Sequence, residues 1–292
     1  MRKWILIVLW VVFGVCLSYS ESKRAFLIGI SDYPTCQSSE LSWSPIHGVN
    51  DVALLTPTLK KHGYKITSLC NDKATANNIR VGLNKFSESC KLGDIVYLHF
   101  SCHGQPVEDL NGDEEDGWDE AIVPIDAKKV YSKDQYVGDN HIIDDELNLV
   151  FEKIRKKIGK EGYLVVAIDA CHSGTSYRGD EVQDSVIIRG TNKGFSASGK
   201  PFVPKIDRRS RFKIQSSRDM SELCLIEACR SYQVNCEIKE NGKYYGSLSF
   251  YLNKFLEKSE FGRDFKWYDE VVRLIGSDHR LIRQNAVVEI SE

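Results

Sequence analysis

From residue 24 onward, short apolar runs alternate with longer stretches in which apolar residues recur every three or four positions. Arg24–Ile30 (RAFLIGI), Tyr64–Leu69, Ile95–Gly104 (IVYLHFSCHG), Tyr163–Asp169 and Leu223–Ala228 read as strands, the first of them as a buried one. Between them, residues 50–62 place Val52, Leu54, Leu55 and Leu59 at roughly helical spacing and stop at Gly63. Residues 76–89 follow Thr75 as a cap and set Ile79, Leu83 and Phe86 on one helical face. Asp144–Lys157 is a helix with apolar Leu147, Val150, Phe151 and Ile154, acidic residues first and basic ones last, which complements its dipole. Leu248–Glu257 and Trp267–Ile275 complete the helices. Strand and helix alternating in this way predict one α/β domain with a mostly parallel sheet flanked by helices. Such sheets place ligands beyond the carboxyl ends of their strands, where two of the runs deliver His103 and Cys171.

Two segments depart from the pattern. Arg2 and Lys3 precede an apolar run from Trp4 to Leu17, followed by the small residues Ser18 and Ser20, so residues 1–20 read as a secretory signal and 21–292 as the exported domain. The apolar run is shorter than the roughly 18–20 residues of a spanning helix, which disfavours the alternative of an uncleaved anchor. The second departure, from Thr175 to about Asp219, is rich in Gly, Ser, Arg and Lys without sustained periodicity, and predicts a long mobile loop at about 175–220. Export permits disulfides among the cysteines that remain after Cys16, and no CxxC pair suggests a structural zinc site. With 42% hydrophobic and 27% charged residues and a net charge of -2, the chain is ordinary for a globular monomer and offers no basic field for nucleic acid. After removal of the signal, no membrane partner is expected.

The chemistry sits at the two strand ends. A cysteine nucleophile needs its thiolate and a separately held base, and Cys171 and His103 each follow an apolar strand into a small-residue turn. His172 is the competing base, but successive residues in a turn point in different directions. These residues carry a resemblance: FSCHG (100–104) and IDACHSG (168–174) resemble the histidine and cysteine motifs of metacaspases, caspase-like cysteine peptidases. GVND (48–51), EEDGWDEAIVPID (114–126), IIDDEL (142–147) and IEACRSYQVNCE (226–237) agree in family order, over about residues 24–290.

The resemblance implies a caspase-like α/β/α sandwich and a peptidase in which Cys171 attacks the scissile carbonyl and His103 protonates the leaving amine. A backbone amide near Gly104 or Cys171 would donate to the oxyanion. Asp51, Ser101 and Asp169 would form the pocket for the residue before the scissile bond, and two carboxylates there select peptide or protein substrates with Arg or Lys. Gly48, where the family often has Cys, would leave that side of the pocket roomier. No covalently bound cofactor is expected. Asp119, Asp144 and Asp145 match the positions by which calcium-dependent members hold Ca²⁺, whereas the fourth position falls on Arg178, with Asp180 and Glu181 nearby. Lys205, Arg208, Arg209 and Arg211 in the long loop are the expected sites of self-cleavage. Two other readings stay open: a catalytically inactive caspase-like binding module, and a different thiol hydrolase or transpeptidase on a related fold.

Overall fold

The computed structural model describes residues 22–36, 38–172, 186–209, 211–214, 216–263, 266–281 and 283–291. The expected signal (1–20) and Arg178, Asp180 and Glu181 therefore lie outside the described residues. The central sheet uses the five expected strands, β1 (Lys23–Gly29), β2 (Lys65–Cys70), β3 (Ile95–Ser101), β7 (Tyr163–Asp169) and β9 (Glu222–Glu227), with β8 (Arg211–Ile214) and β12 (Val287–Ser291) added at one edge. Their order is β2-β1-β3-β7-β9-β12-β8. The first five run parallel, and β12 pairs antiparallel with β9 and parallel with β8. A small second sheet, β4 (His103–Glu108), β5 (Trp118–Val123) and β6 (Ile142–Ile143), rises from the end of β3, and β10 (Glu237–Glu240) with β11 (Lys243–Gly246) forms a hairpin.

Because side chains alternate across a strand, each central strand feeds two cores. Leu164, Val166 and Ile168 pack with α2 (Ala76–Ser89) and α3 (Asp144–Ile158). Val165 and Ala167 pack on the other face with α1 (Gly48–Lys61), α4 (Ser247–Leu256) and α5 (Trp267–Ser277). Leu55 and Leu59 of α1 and Leu252 and Leu256 of α4 are fully buried there, each contributing about 1.5–3 kcal/mol. This is the α/β/α sandwich expected from the sequence.

Two local readings need correction. The stretch at 175–220 is not one featureless loop: residues 211–214 form the edge strand β8, and residues 186–195 are held by backbone hydrogen bonds across the ends of the central strands. Short β-branched pieces inside a polar stretch gave too little periodicity to register. Gly48 does not make the pocket roomier either, because a Cβ there would lie 2.6 Å from the Ile30 carbonyl oxygen. Glycine is needed at that point for the start of α1 to press against the end of β1.

Candidate active site

Register brings the site together. Ser101, the last residue of β3, pairs with Asp169, the last residue of β7, so His103 and Cys171 each lie two residues beyond one level of the sheet. Gly29 of β1 pairs with Ser101 on the other side, and the N-terminus of α1 presents Asp51 to the same level. Ser101, Asp51 and Asp169 are all completely buried.

His103 is fixed from three sides. Its ring stacks on Trp43 with centroids 4.9 Å apart and lies 5.0 Å from Tyr33, while Trp43 is itself held by its indole N–H to the Ala127 carbonyl. Nε2 is 2.8 Å from the Ser44 carbonyl oxygen, which can only accept, so Nε2 carries the proton and Nδ1 keeps a lone pair. Nδ1 is buried and has no hydrogen-bond partner among the described residues. Burial, more than any neighbouring charge, lowers the pKa of His103 to about 3, so the imidazole rests neutral. The Cys171 thiol donates to the Gln233 carbonyl at 2.9 Å and lies against Cys229, whose own thiol is pushed well up by that contact and by burial. His172 points away toward Glu120, with Nε2 3.6 Å from its carboxylate, as expected for the neighbour in a turn.

The group of Asp51, Ser101 and Asp169 already holds a guanidinium, that of Arg189, which is fully buried. Its Nη1 is 2.7 Å from Asp51, 2.6 Å from the Ser101 hydroxyl and 3.7 Å from Asp169, and its Nη2 and Nε reach one oxygen of Glu237 at 2.8 and 3.0 Å. Burial alone would disfavour the cation, but the three carboxylates outweigh it and hold Arg189 charged. Burial raises Asp51 to about 6 despite Arg189. Burial also works against Asp169, yet Arg189 and hydrogen bonds from Asn235 and Ser249 hold it below the usual carboxylate range.

The backbone of Arg189 is placed as distinctively as its side chain. Its carbonyl oxygen accepts from the amides of both Cys171 (2.9 Å) and Gly104 (3.3 Å). Its amide donates to Asn235, and the Glu237 amide donates to Ile187, so residues 187–189 lie as an extra strand beside residues 235–237. Next in sequence, Gly190 bridges to Gly104 and Cys171 so closely that no side chain would fit beside the Cys171 carbonyl. The chain thus crosses the site as an extended segment with the Arg189–Gly190 peptide bond at the thiol turn.

Each of the expected self-cleavage residues makes contacts of its own. Lys205 is paired with Glu115, Arg209 with Asp207 and Arg211 with Asp269, and the Arg208 carbonyl accepts from Arg230. The basic residue in the pocket is Arg189. Sequence reasoning also missed Glu237, the last residue of the IEACRSYQVNCE segment, and Ser44, which orients His103. The signal for Arg189 was present in VIIRG (186–190), three β-branched residues ending in Arg-Gly within an otherwise polar stretch.

The acidic positions gather beside the site. Asp119 lies with Asp109 and Asp113 in a group in which one carboxylate oxygen from each lies within 4.8 Å of the others. Asp144 accepts from the Glu120 amide and Asp145 from the Asn111 side chain. Asp119, Glu120, Asp144 and His172 line a cavity of about 260 Å³.

Comparison with known proteins bears on the family and the fold. The family profile described as metacaspase, peptidase C14 domain, matches residues 23–178. Metacaspase-1 of Scheffersomyces stipitis is 25% identical over 84% of this chain and 66% of its own length. Metacaspase-1B of Aspergillus fumigatus is 33% identical over 53% and 36%, and Metacaspase-2 of Trypanosoma brucei brucei 25% identical over 77% and 58%. The chain thus spans about two thirds or less of the length of these curated relatives. A crystal structure of protein GSU0716 from Geobacter sulfurreducens shares the fold, with a TM-score of 0.60 at 19% identity over 92% of this chain and 93% of its own. With the family profile covering more than half of its residues, the chain belongs to the metacaspase family.

Proposed function

We propose that the protein is a cysteine endopeptidase that cuts after basic residues, and that the described state is its latent form, with its own Arg189 bound as a substrate would be. The observation that carries this reading is the double placement of Arg189: its carbonyl oxygen receives two amides beside Cys171 while its guanidinium fills the acidic pocket. In the reaction, Cys171 Sγ gives up its proton and bonds to the carbonyl carbon, and the negative charge that develops on oxygen is held by the Cys171 and Gly104 amides. Nδ1 of His103, the nitrogen left open by the Ser44 contact, relays the proton to the leaving amine. The C–N bond breaks to give a thioester and a new amino terminus. Water then hydrolyses the thioester and restores the thiol.

A fork of donors on Glu237 and Asp51 suits arginine better than lysine, which offers a single point charge. Short reporters ending in Arg should be cleaved about tenfold better in kcat/KM than Lys reporters, and Asp reporters not at all. Equal rates for Arg and Asp reporters would remove the pocket assignment. A filled pocket is also what a permanently inactive binding module would show, and the absence of any hydrolysis after Arg or Lys would favour that reading. Export under the direction of residues 1–20 belongs to the same proposal.

Calcium activation is a further part of it. Oδ1 of Asp119 is buried without a hydrogen-bond partner among the described residues, and the surrounding carboxylates are hard oxygen donors of the kind Ca²⁺ takes, so the residues fit the ion. Asp119 with Asp144 and Asp145, or with Asp109 and Asp113, would hold it, and its charge would offset the repulsion among them.

Burial, and then Asp144 and Asp109, push Asp119 up to about 7. The folded chain therefore retains a proton that the unfolded carboxyl has already lost, and stability falls as pH rises through that value. Buried His103 (about 3) and His172 (about 4) act in the opposite direction, but only below the unfolded value near 6.5. In chelator, the melting temperature should fall between pH of about 6.5 and about 8. Calcium should raise it more at the higher pH, and no calcium effect at either pH would exclude the ion.

A further inference from the structure

Beyond Gly190 the chain stays in the cleft and runs along β4. The Gln105 side chain donates to the Lys193 carbonyl (2.8 Å), the Phe195 amide to Pro106 (2.8 Å) and the Glu108 amide to Phe195 (2.9 Å). The Phe195 ring, 3% exposed, enters an aromatic pocket with ring centroids of Tyr131, Tyr136 and His141 at 5.8, 5.5 and 4.6 Å. The pocket walls are tied to one another and to the strand that receives the segment. The Tyr136 hydroxyl meets His141 Nδ1 at 3.0 Å, and His141 Nε2 meets the Gln105 side-chain oxygen Oε1 at 2.9 Å. Gln105 thus orients the pocket through its oxygen and grips the incoming backbone through its nitrogen. The fourth wall is Gly138 at φ +109°, where a Cβ would lie 2.8 Å from the Phe195 ring.

We propose that the pocket of Tyr131, Tyr136, Gly138 and His141 is a substrate subsite on the leaving-group side, which takes an aromatic side chain six residues beyond the scissile arginine. Phe195 is its built-in occupant, six residues after Arg189. This rests on the peptidase reading above, because it is that reading that makes Arg189–Gly190 the bond in position. The pocket lies far along the chain from that bond and holds substrate and transition state alike, so its occupancy acts on KM and leaves kcat unchanged. A ring packed edge-on against such walls gives specificity through shape and quadrupole as well as burial.

The test uses the full chain carrying Phe195→Ala, in which the pocket is vacated, and three substrates. One is a short Arg reporter that ends at the scissile bond, one a peptide copying residues 186–198, and one its counterpart with alanine at the position of Phe195. The variant should cleave the reporter and favour the aromatic peptide about tenfold through KM. The wild-type chain, with Phe195 in place, should show a smaller preference, and Phe195→Ala combined with Gly138→Val should lose it. Melting temperatures of each variant report folding, and Phe195→Leu serves in place of alanine if that variant is unfolded. Equal KM values for the two peptides on a folded variant that cleaves the reporter would overturn the subsite and leave Phe195 as a packing residue. A wild-type chain that stays inactive on the reporter after incubation with calcium would overturn the peptidase reading and the subsite together.

Discussion

Replacing Arg189 with alanine should destabilise the protein by about 3–5 kcal/mol near neutral pH, the usual cost of leaving a buried charge without its partner. Three carboxylates, those of Asp51, Asp169 and Glu237, face the guanidinium, and Asp51 and Asp169 are entirely buried. Hydrogen bonds from Ser101, Asn235 and Ser249 support two of them, but carry no positive charge. The loss should ease as the pH is lowered, because Asp51 already titrates near 6 with the cation beside it and without it would bind a proton more readily still. Arg189→Lys should recover part of the stability. A small guanidinium ligand such as arginine amide should raise the melting temperature of the alanine variant and leave the parent unchanged, since only the variant has a vacant pocket. An alanine variant as stable as the parent would mean that the pocket tolerates its charges without a cation, and the argument for basic specificity would fail with it.

The second large effect is on chemistry. Cys171→Ala should lower hydrolysis of an Arg reporter on the order of 10⁴-fold or more, as expected when a nucleophile is removed from a unit that acts together. Its melting temperature should stay close to that of the parent. The thiol's contact with the Gln233 carbonyl is a weak hydrogen bond, and alanine keeps the backbone amide that donates to Arg189. His103→Ala should behave differently, losing both activity and stability. It opens a cavity between Trp43 and Tyr33 and leaves the Ser44 carbonyl without its donor. Full activity in Cys171→Ala would transfer the nucleophile elsewhere, with Cys229 the adjacent thiol.

Much of this molecule was legible in the chain because its inner strands β1, β3, β7 and β9 are buried on both faces. RAFLIGI and LVVAID announce themselves by unbroken apolarity, and the register that pairs Ser101 with Asp169 then follows from parallel packing. His103 and Cys171 were legible for the same reason, since each ends such a run. What the sequence did not reveal depends on contacts between distant residues. β8 and β12 are four and five residues long, so the pairing of β12 with β9 and of β8 with β12 decides their state more than their own composition does. Arg189 looked like any basic residue in a polar loop. Only the fold brings Asp51 from α1, Asp169 from β7 and Glu237 from β10 around one point, and a lone cation is the group that such a point requires. The basic residues of the 205–211 stretch show the complementary limit, because their pairing with Glu115, Asp207 and Asp269 is not visible from charge density alone.

The claim that Arg189 is held as a substrate is tested most directly by the fragments that the protein makes of itself. Purified full-length chain would be incubated with and without calcium beside the Cys171→Ala variant, and the products read by intact mass and amino-terminal sequencing. The account expects one new amino terminus at Gly190, a partner fragment ending at Arg189, and an intact Cys171→Ala chain. Cleavage that begins after Lys205, Arg208, Arg209 or Arg211, or an uncut chain that nevertheless hydrolyses Arg reporters at full rate, would contradict it.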